Sequence, residues 1–160
     1  FIFIKKLDST NSHLVKIKLD SDEFGWNITE RFKYNGFSKM LIEKQNLYSS
    51  LSKSRISISP YNSTIYYETL SSNFPTVIFF DTNYYEISDS SIEIFNLLKS
   101  VGIFHETPIL AATFVNSILE NINDWWLKEE VQEARLEFCN KFALKSKTYL
   151  KEWKYFLKNV

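Results

Sequence analysis

The segment from Arg55 to Phe80 constrains the fold more than any other part of the chain. Arg55-Ile56-Ser57-Ile58-Ser59 alternates polar and apolar residues, as a strand does, and stops at Pro60. Asn62-Ser63-Thr64 offers helix-capping side chains, and Ile65 to Ser72 continues as a helix. Pro75 then opens Thr76-Val77-Ile78-Phe79-Phe80, a continuous apolar run typical of a strand buried on both faces. Strand, helix and strand in this order make a βαβ unit, whose strands pair in parallel through a right-handed crossover.

Around this unit the pattern alternates and then turns helical. Phe1 to Leu7 is a β-rich run that reads as a strand. Leu14-Val15-Lys16-Ile17-Lys18-Leu19 alternates with period two, the pattern of a strand with one buried face. Trp26 to Phe32 reads as a short helix with Asn27 as cap and Glu30 three residues on. Lys39 to Glu43 reads as a weak strand and Leu47 to Lys53 as a short helix. Ser91 to Ser100 is a helix ended by Gly102, Ile103-Phe104-His105 a last short strand, and Thr107-Pro108 a helix start. Two further helices follow, about Leu127 to Leu144 and Thr148 to Leu157. The expected fold is α/β, a Rossmann-like parallel sheet flanked by helices with a helical C-terminal tail, and residues 1–160 as a single domain.

Composition narrows the function classes. Nineteen Lys and Arg balance nineteen Asp and Glu, so no global electrostatic grip on nucleic acid is expected. A single cysteine, Cys139, excludes an intramolecular disulfide and any multi-cysteine zinc site. Three glycines cannot write a G-x-G-x-x-G fingerprint, and no Walker A loop is present. No apolar run of about eighteen residues exists, so no bilayer span is expected. The start, Phe1-Ile2-Phe3-Ile4-Lys5-Lys6, lacks an initiator Met and a signal-peptide pattern, and the chain is expected to be a fragment of something longer.

Open parallel sheets bind ligands outside the C-terminal ends of their strands. Ser59-Pro60-Tyr61-Asn62-Ser63-Thr64 lies at such a place, where unpaired helical N–H groups and the helix dipole would stabilise an anion. The hydroxyls of Ser63 and Thr64 add two donors, and Glu68, one turn on, is placed to accept from sugar hydroxyls. Plain helix capping with a solvated Glu68 is the alternative. Lys16 and Lys18 share one strand face, and Lys18 suits a phosphate as well as it suits an exposed edge. His105, in the turn before a helix, suits a general base or a hydrogen-bonded structural residue. Trp125-Trp126 with Val131, Ala134, Phe138 and Phe142 reads as core packing, and Glu129, Glu130, Glu133, Arg135 and Glu137 as a solvated helix face, from which Arg135 could alternatively reach a partner domain.

These residues carry a family resemblance. Tyr61-Asn62-Ser63-Thr64-Ile65-Tyr66-Tyr67-Glu68-Thr69-Leu70 and Asn73-Phe74-Pro75-Thr76-Val77-Ile78-Phe79-Phe80 look like a run found in transferases of surface-carbohydrate biosynthesis. The likeness continues through Leu97 to Pro108, Asp124-Trp125-Trp126, Val131-Gln132-Glu133-Ala134-Arg135 and Phe138-Cys139. Upstream, Asp22-Glu23-Phe24-Gly25-Trp26 is similar to the family's acidic–aromatic–Gly–Trp element, so the match covers residues 14–157. The family resembles GT-B glycosyltransferases, two Rossmann-like domains with the active site in the cleft between them.

The resemblance implies that this chain is the C-terminal, nucleotide-sugar-binding half of such an enzyme and lacks its N-terminal acceptor domain. Ser63 and Thr64 would receive the donor phosphates with Lys18 nearby, Glu68 the ribose or sugar hydroxyls, Tyr61 and Asn62 would shape the loop, and His105 would lie on the cleft-facing rim. Expected partners are the nucleotide-sugar, the missing domain and a glycan or lipid-linked acceptor, with no nucleic acid. No cofactor or metal is expected. A cytoplasmic location follows, with any membrane association peripheral at the inner face and through the absent half. Two departures stand out: Lys16 and Lys18 replace an Arg-containing element, and Ser88 follows Tyr85-Glu86-Ile87 where the family has an Arg. Turnover by this half alone is not expected. The rival readings are a CDP-polyol phosphotransferase domain and a non-catalytic binding or scaffold module.

Overall fold

The computed structural model describes residues 1–20, 24–42, 46–144, 146 and 148–159. Three parallel strands form its sheet in the order β1 (Ser57–Ser59), β2 (Thr76–Phe79), β3 (Phe104–His105). Ser59 stands opposite Ile78 and Phe79 opposite His105, so all three strands end at one edge. The βαβ unit read from the sequence is present, with α5 (Thr64–Ser71) crossing from β1 to β2.

Both faces of the sheet are covered, which is why β2 is buried at every residue. Successive side chains point to opposite faces. Phe79 stacks on Phe3 of α1 (Ile2–Lys6) at 5.1 Å, while Phe80 meets Phe95 of α6 (Asp89–Ser100) at 5.7 Å. α7 (Pro108–Ile118) lies with α1, and α9 (Glu129–Phe142) lies against α5 and α6. α7 begins as expected: Thr107 Oγ1 accepts the Leu110 N–H at 3.2 Å and Pro108 occupies the first turn. Gly102 ends α6 at φ +81°, a left-handed turn that a β-carbon would strain.

Several expected elements take another form. Phe1 to Leu7 is the helix α1, not a strand, because Phe3 and Leu7, four apart, are both buried on the face turned to α7. Leu14 to Leu19 keeps its alternation, with Val15, Ile17 and Leu19 half-buried and Lys16 and Lys18 exposed, but makes no ladder among the described residues. Its one bridge joins Ile17 to Leu41, through Ile17 N–H to Met40 O and Ile42 N–H to Ile17 O. Ser38–Met40 is a 3-10 turn in place of the weak strand, whose Glu43 end lies outside the described residues. After α2 (Ser9–Ser12), α3 (Ile28–Tyr34) starts at Asn27, whose left-handed backbone makes no side-chain cap, and Glu30 pairs with Lys33 instead. α4 (Leu47–Leu51) is the short helix foreseen. The segment read as one helix from Leu127 follows a separate α8 (Ile122–Trp126), and the tail is α10 (Tyr149–Lys158). Among the described residues no helix is long and apolar enough to cross a membrane.

Arg135 is a correction of a different kind. It is buried rather than solvated: Nη1 donates to Leu70 O at the end of α5 at 3.0 Å, and Nε to Gln132 Oε1 at 3.1 Å. The guanidinium thus adds a second donor to a carbonyl in the last turn of the helix, which also accepts the Asn73 N–H at 3.0 Å. Trp125 and Trp126 are core residues as read, their indole N–H groups donating to Val101 O and to Asn73.

Candidate functional site

The site is built at the edge where β1, β2 and β3 end. Ser59, last in β1, is buried, and its hydroxyl donates to Tyr61 O and shares a hydrogen bond with Ser63 Oγ, each at 3.3 Å. Asn62 Oδ1 accepts the Tyr66 hydroxyl at 2.6 Å. Burial first, and then the neighbouring Tyr67, push the Tyr66 phenol well above its ordinary value, so it is a fixed donor. These two bonds occupy the side chains that the sequence offers as caps. Ser63 stands at the N-cap with extended backbone but gives the helix no side-chain cap, so no cap side chain occupies the first N–H groups of α5.

Beside this turn lies a cavity of about 470 Å³. It runs along the free edge of β1, between that strand, the Lys16–Asp20 segment and the end of α4. Lys16, Lys18 and Lys53 give it positive charge, and Ser54, Ser59 and Tyr61 give it hydroxyls. Among the described residues none of these three lysines has a carboxylate partner. A second cavity, also about 470 Å³, adjoins it on the face of the sheet covered by α1. That one is walled by apolar side chains such as Phe3, Leu14, Phe79 and Leu119 and shares the three lysines at its margin.

The expected site residues fall into three groups. Lys18 and Tyr61 line the first cavity. Asn62, Ser63 and Thr64 form the adjoining helix start, with Thr64 and Glu68 exposed one turn apart on α5. His105 stands apart, at the end of β3 and two strand spacings, about 10 Å, from β1. Lys53 is an addition that the sequence reading missed, while Ser59, there only the start of the candidate segment, also lines the cavity. Ser59 was legible as a strand end, whereas Lys53 sits in a turn that carries no motif.

His105 is held closely. Its Nε2 lies 3.0 Å from Gly102 O, and its ring packs 5.0 Å from the Phe114 ring. A carbonyl only accepts, so Nε2 carries the proton and Nδ1 keeps its lone pair. Desolvation lowers its pKa, against a smaller raising effect of the Gly102 bond, so the ring is neutral at pH 7. The unfolded chain therefore binds more protons than the folded one just below pH 6.5, and stability falls as pH drops through that value. The slope is bounded by about 1.4 kcal/mol per pH unit and reduced by the water that still reaches the half-buried ring. Urea midpoints measured from pH 7.5 to 5.5 are expected to fall more for the wild type than for His105→Gln.

A family model of LIC12162 family transferases matches residues 1–157. The chain belongs to that family. No curated protein and no solved structure matches it. This member of the LIC12162 family is thus a member of a transferase family, with a parallel α/β sheet and, along the free edge of β1, a cavity lined by hydroxyls and by lysines that have no carboxylate partner among the described residues. Ser88, where an Arg was expected, stands at the N-cap of α6 with its hydroxyl 2.8 Å from Ser91 Oγ, a local helix-start role. The Asp22 and Glu23 part of the acidic–aromatic–Gly–Trp element lies outside the described residues.

Proposed function

We propose that this chain is the nucleotide-sugar-binding domain of a GT-B-type glycosyltransferase acting in surface-carbohydrate biosynthesis. The observation that carries the reading is the cationic cavity along the free edge of β1, which reaches the uncapped start of α5. Lys18 and Lys53 take the donor diphosphate, the first N–H groups of α5 with Ser63 and Thr64 take an adjoining phosphate oxygen, and Tyr61 offers a ring for the base. Glu68 accepts from ribose or sugar hydroxyls, and Asn62, tied to Tyr66, holds the loop. The transferase family supports group transfer, and the parallel sheet supports a ligand at its C-terminal edge.

In the reaction the acceptor hydroxyl, glycan or lipid-linked and presented by a second domain, attacks the anomeric carbon. The bond from that carbon to the phosphate oxygen breaks, and its electron pair leaves on the nucleoside diphosphate. The lysines and the α5 dipole stabilise that developing charge. The acceptor proton goes to a base on the cleft rim, the role assigned to Nδ1 of His105, which is neutral and unoccupied by the Gly102 bond.

A thermal-shift screen with UDP, CDP, CMP, GDP and their sugar conjugates tests this. A ligand at a hundred times its Kd adds about 2.7 kcal/mol, roughly 5–10 °C for a chain of this length. One nucleotide base is expected to be selected. Glu68→Ala is expected to diminish the shift of the sugar conjugate. Selection of CDP-linked polyols would instead favour a polyol-phosphate transferase. No shift with any compound would contradict donor binding and favour a scaffold module.

A further inference from the structure

We propose that α10 is a docking surface for an anionic lipid bilayer, on which it lies in the plane of the interface. None of its residues is buried. At about 100° per residue, Phe156, Tyr149, Trp153, Leu157 and Leu150 fall within an arc of roughly 120°, and Lys154, Lys158 and Lys151 follow on the adjoining and opposite face. All five apolar or aromatic side chains are between 56% and 68% exposed, which for so large a contiguous face marks a surface awaiting a partner.

Charge selects the partner. The chain as a whole is neutral, yet its last sixteen residues hold five Lys and a single acidic residue, Glu152. That carboxylate is engaged at the helix start, accepting from Ser146 Oγ at 2.5 Å and Thr148 Oγ1 at 2.7 Å. Those bonds keep the carboxylate ionised, but three lysines on α10 outnumber it, so the helix is net cationic, and its lysines flank an apolar stripe bearing Trp and Tyr, side chains with an apolar body and a polar tip that suit the headgroup level. A basic polar face opposite a Trp, Phe and Leu face is the pattern of helices that bind at the interface of anionic membranes. A second copy of the same helix would set lysines against lysines.

The test uses the full chain and no nucleotide, so its outcome is independent of the donor site. Co-sedimentation is measured with vesicles of equal phosphatidylglycerol and phosphatidylcholine, and with phosphatidylcholine alone. The chain is expected to sediment with the first and not the second, and to be released at 0.5 M salt in the manner of a screened surface attraction. Trp153→Ala with Leu157→Ala, and separately Lys151→Gln with Lys154→Gln and Lys158→Gln, are each expected to lower the partition coefficient at least tenfold. Because α10 holds no buried residue, both variants should melt where the wild type melts. Failure to sediment, equal binding to neutral vesicles, or α10-dependent dimers in light scattering would each overturn the proposal.

Discussion

Phe138→Ala is expected to cost about 3–5 kcal/mol, the range for emptying a buried aromatic site. Phe138 is fully buried on α9, at the point where that helix meets both α5 and α6. Its ring lies 5.3 Å from Tyr67, 5.9 Å from Tyr66, 6.3 Å from Phe95 and 5.3 Å from Phe142. Four separate neighbours on three helices cannot close a hole by one shared movement, so much of the cavity would persist. For a chain of this length the melting temperature should fall by roughly 6–20 °C. Leu136→Ala, half-exposed two residues away on the same helix, is the control and should change stability by about 0.5 kcal/mol or less. Equal effects at the two positions would mean that α9 is not packed as described.

Gly102→Ala should be the next largest single change, at about 2–4 kcal/mol. Two costs add. The residue sits at φ +81°, where a side chain is strained, and an added β-carbon would lie 2.4 Å from the Phe114 ring. The Phe114 ring cannot move away freely, because it packs on His105 at 5.0 Å and edge-on against Trp125 at 5.2 Å. The same glycine offers the carbonyl that holds His105 Nε2, so strain there is transmitted to the rim of the sheet edge. Thermal unfolding should report a drop of roughly 5–15 °C, and the His105 ring signals in an NMR spectrum should shift with it. A variant as stable as the wild type would show that the turn after α6 is built differently.

The central βαβ unit was legible because its signals are local and agree: Pro60 and Pro75 punctuate it, the first strand alternates and the second is apolar throughout. Phe1 to Leu7 was misread because Phe1-Ile2-Phe3-Ile4 satisfies either period, and only the packing of Phe3 and Leu7 against α7 decides for a helix. Arg135 was misread because four glutamates surround it in sequence, while its partner, the Leu70 carbonyl, is 65 residues away. Tyr61 could be found from the rule that ligands meet the ends of parallel strands, whereas Lys18 was singled out as the end of a strand that the sheet does not include, and it lines the cavity all the same. Lys53 could not, since a lysine in a turn has no pattern until the fold places it in the lining of the cavity that Lys18 also lines.

The account rests on a donor site at the end of β1, and calorimetric titration of nucleoside diphosphates into the wild type and Lys18→Glu tests it most directly. Charge-assisted hydrogen bonds contribute about 1.5–3 kcal/mol, so reversing one such charge should weaken binding ten- to hundredfold, with no change in melting temperature. Saturable 1:1 binding of one diphosphate, weakened in that range by the substitution, is the predicted result. Absent binding, or binding that Lys18→Glu leaves unchanged, would contradict it.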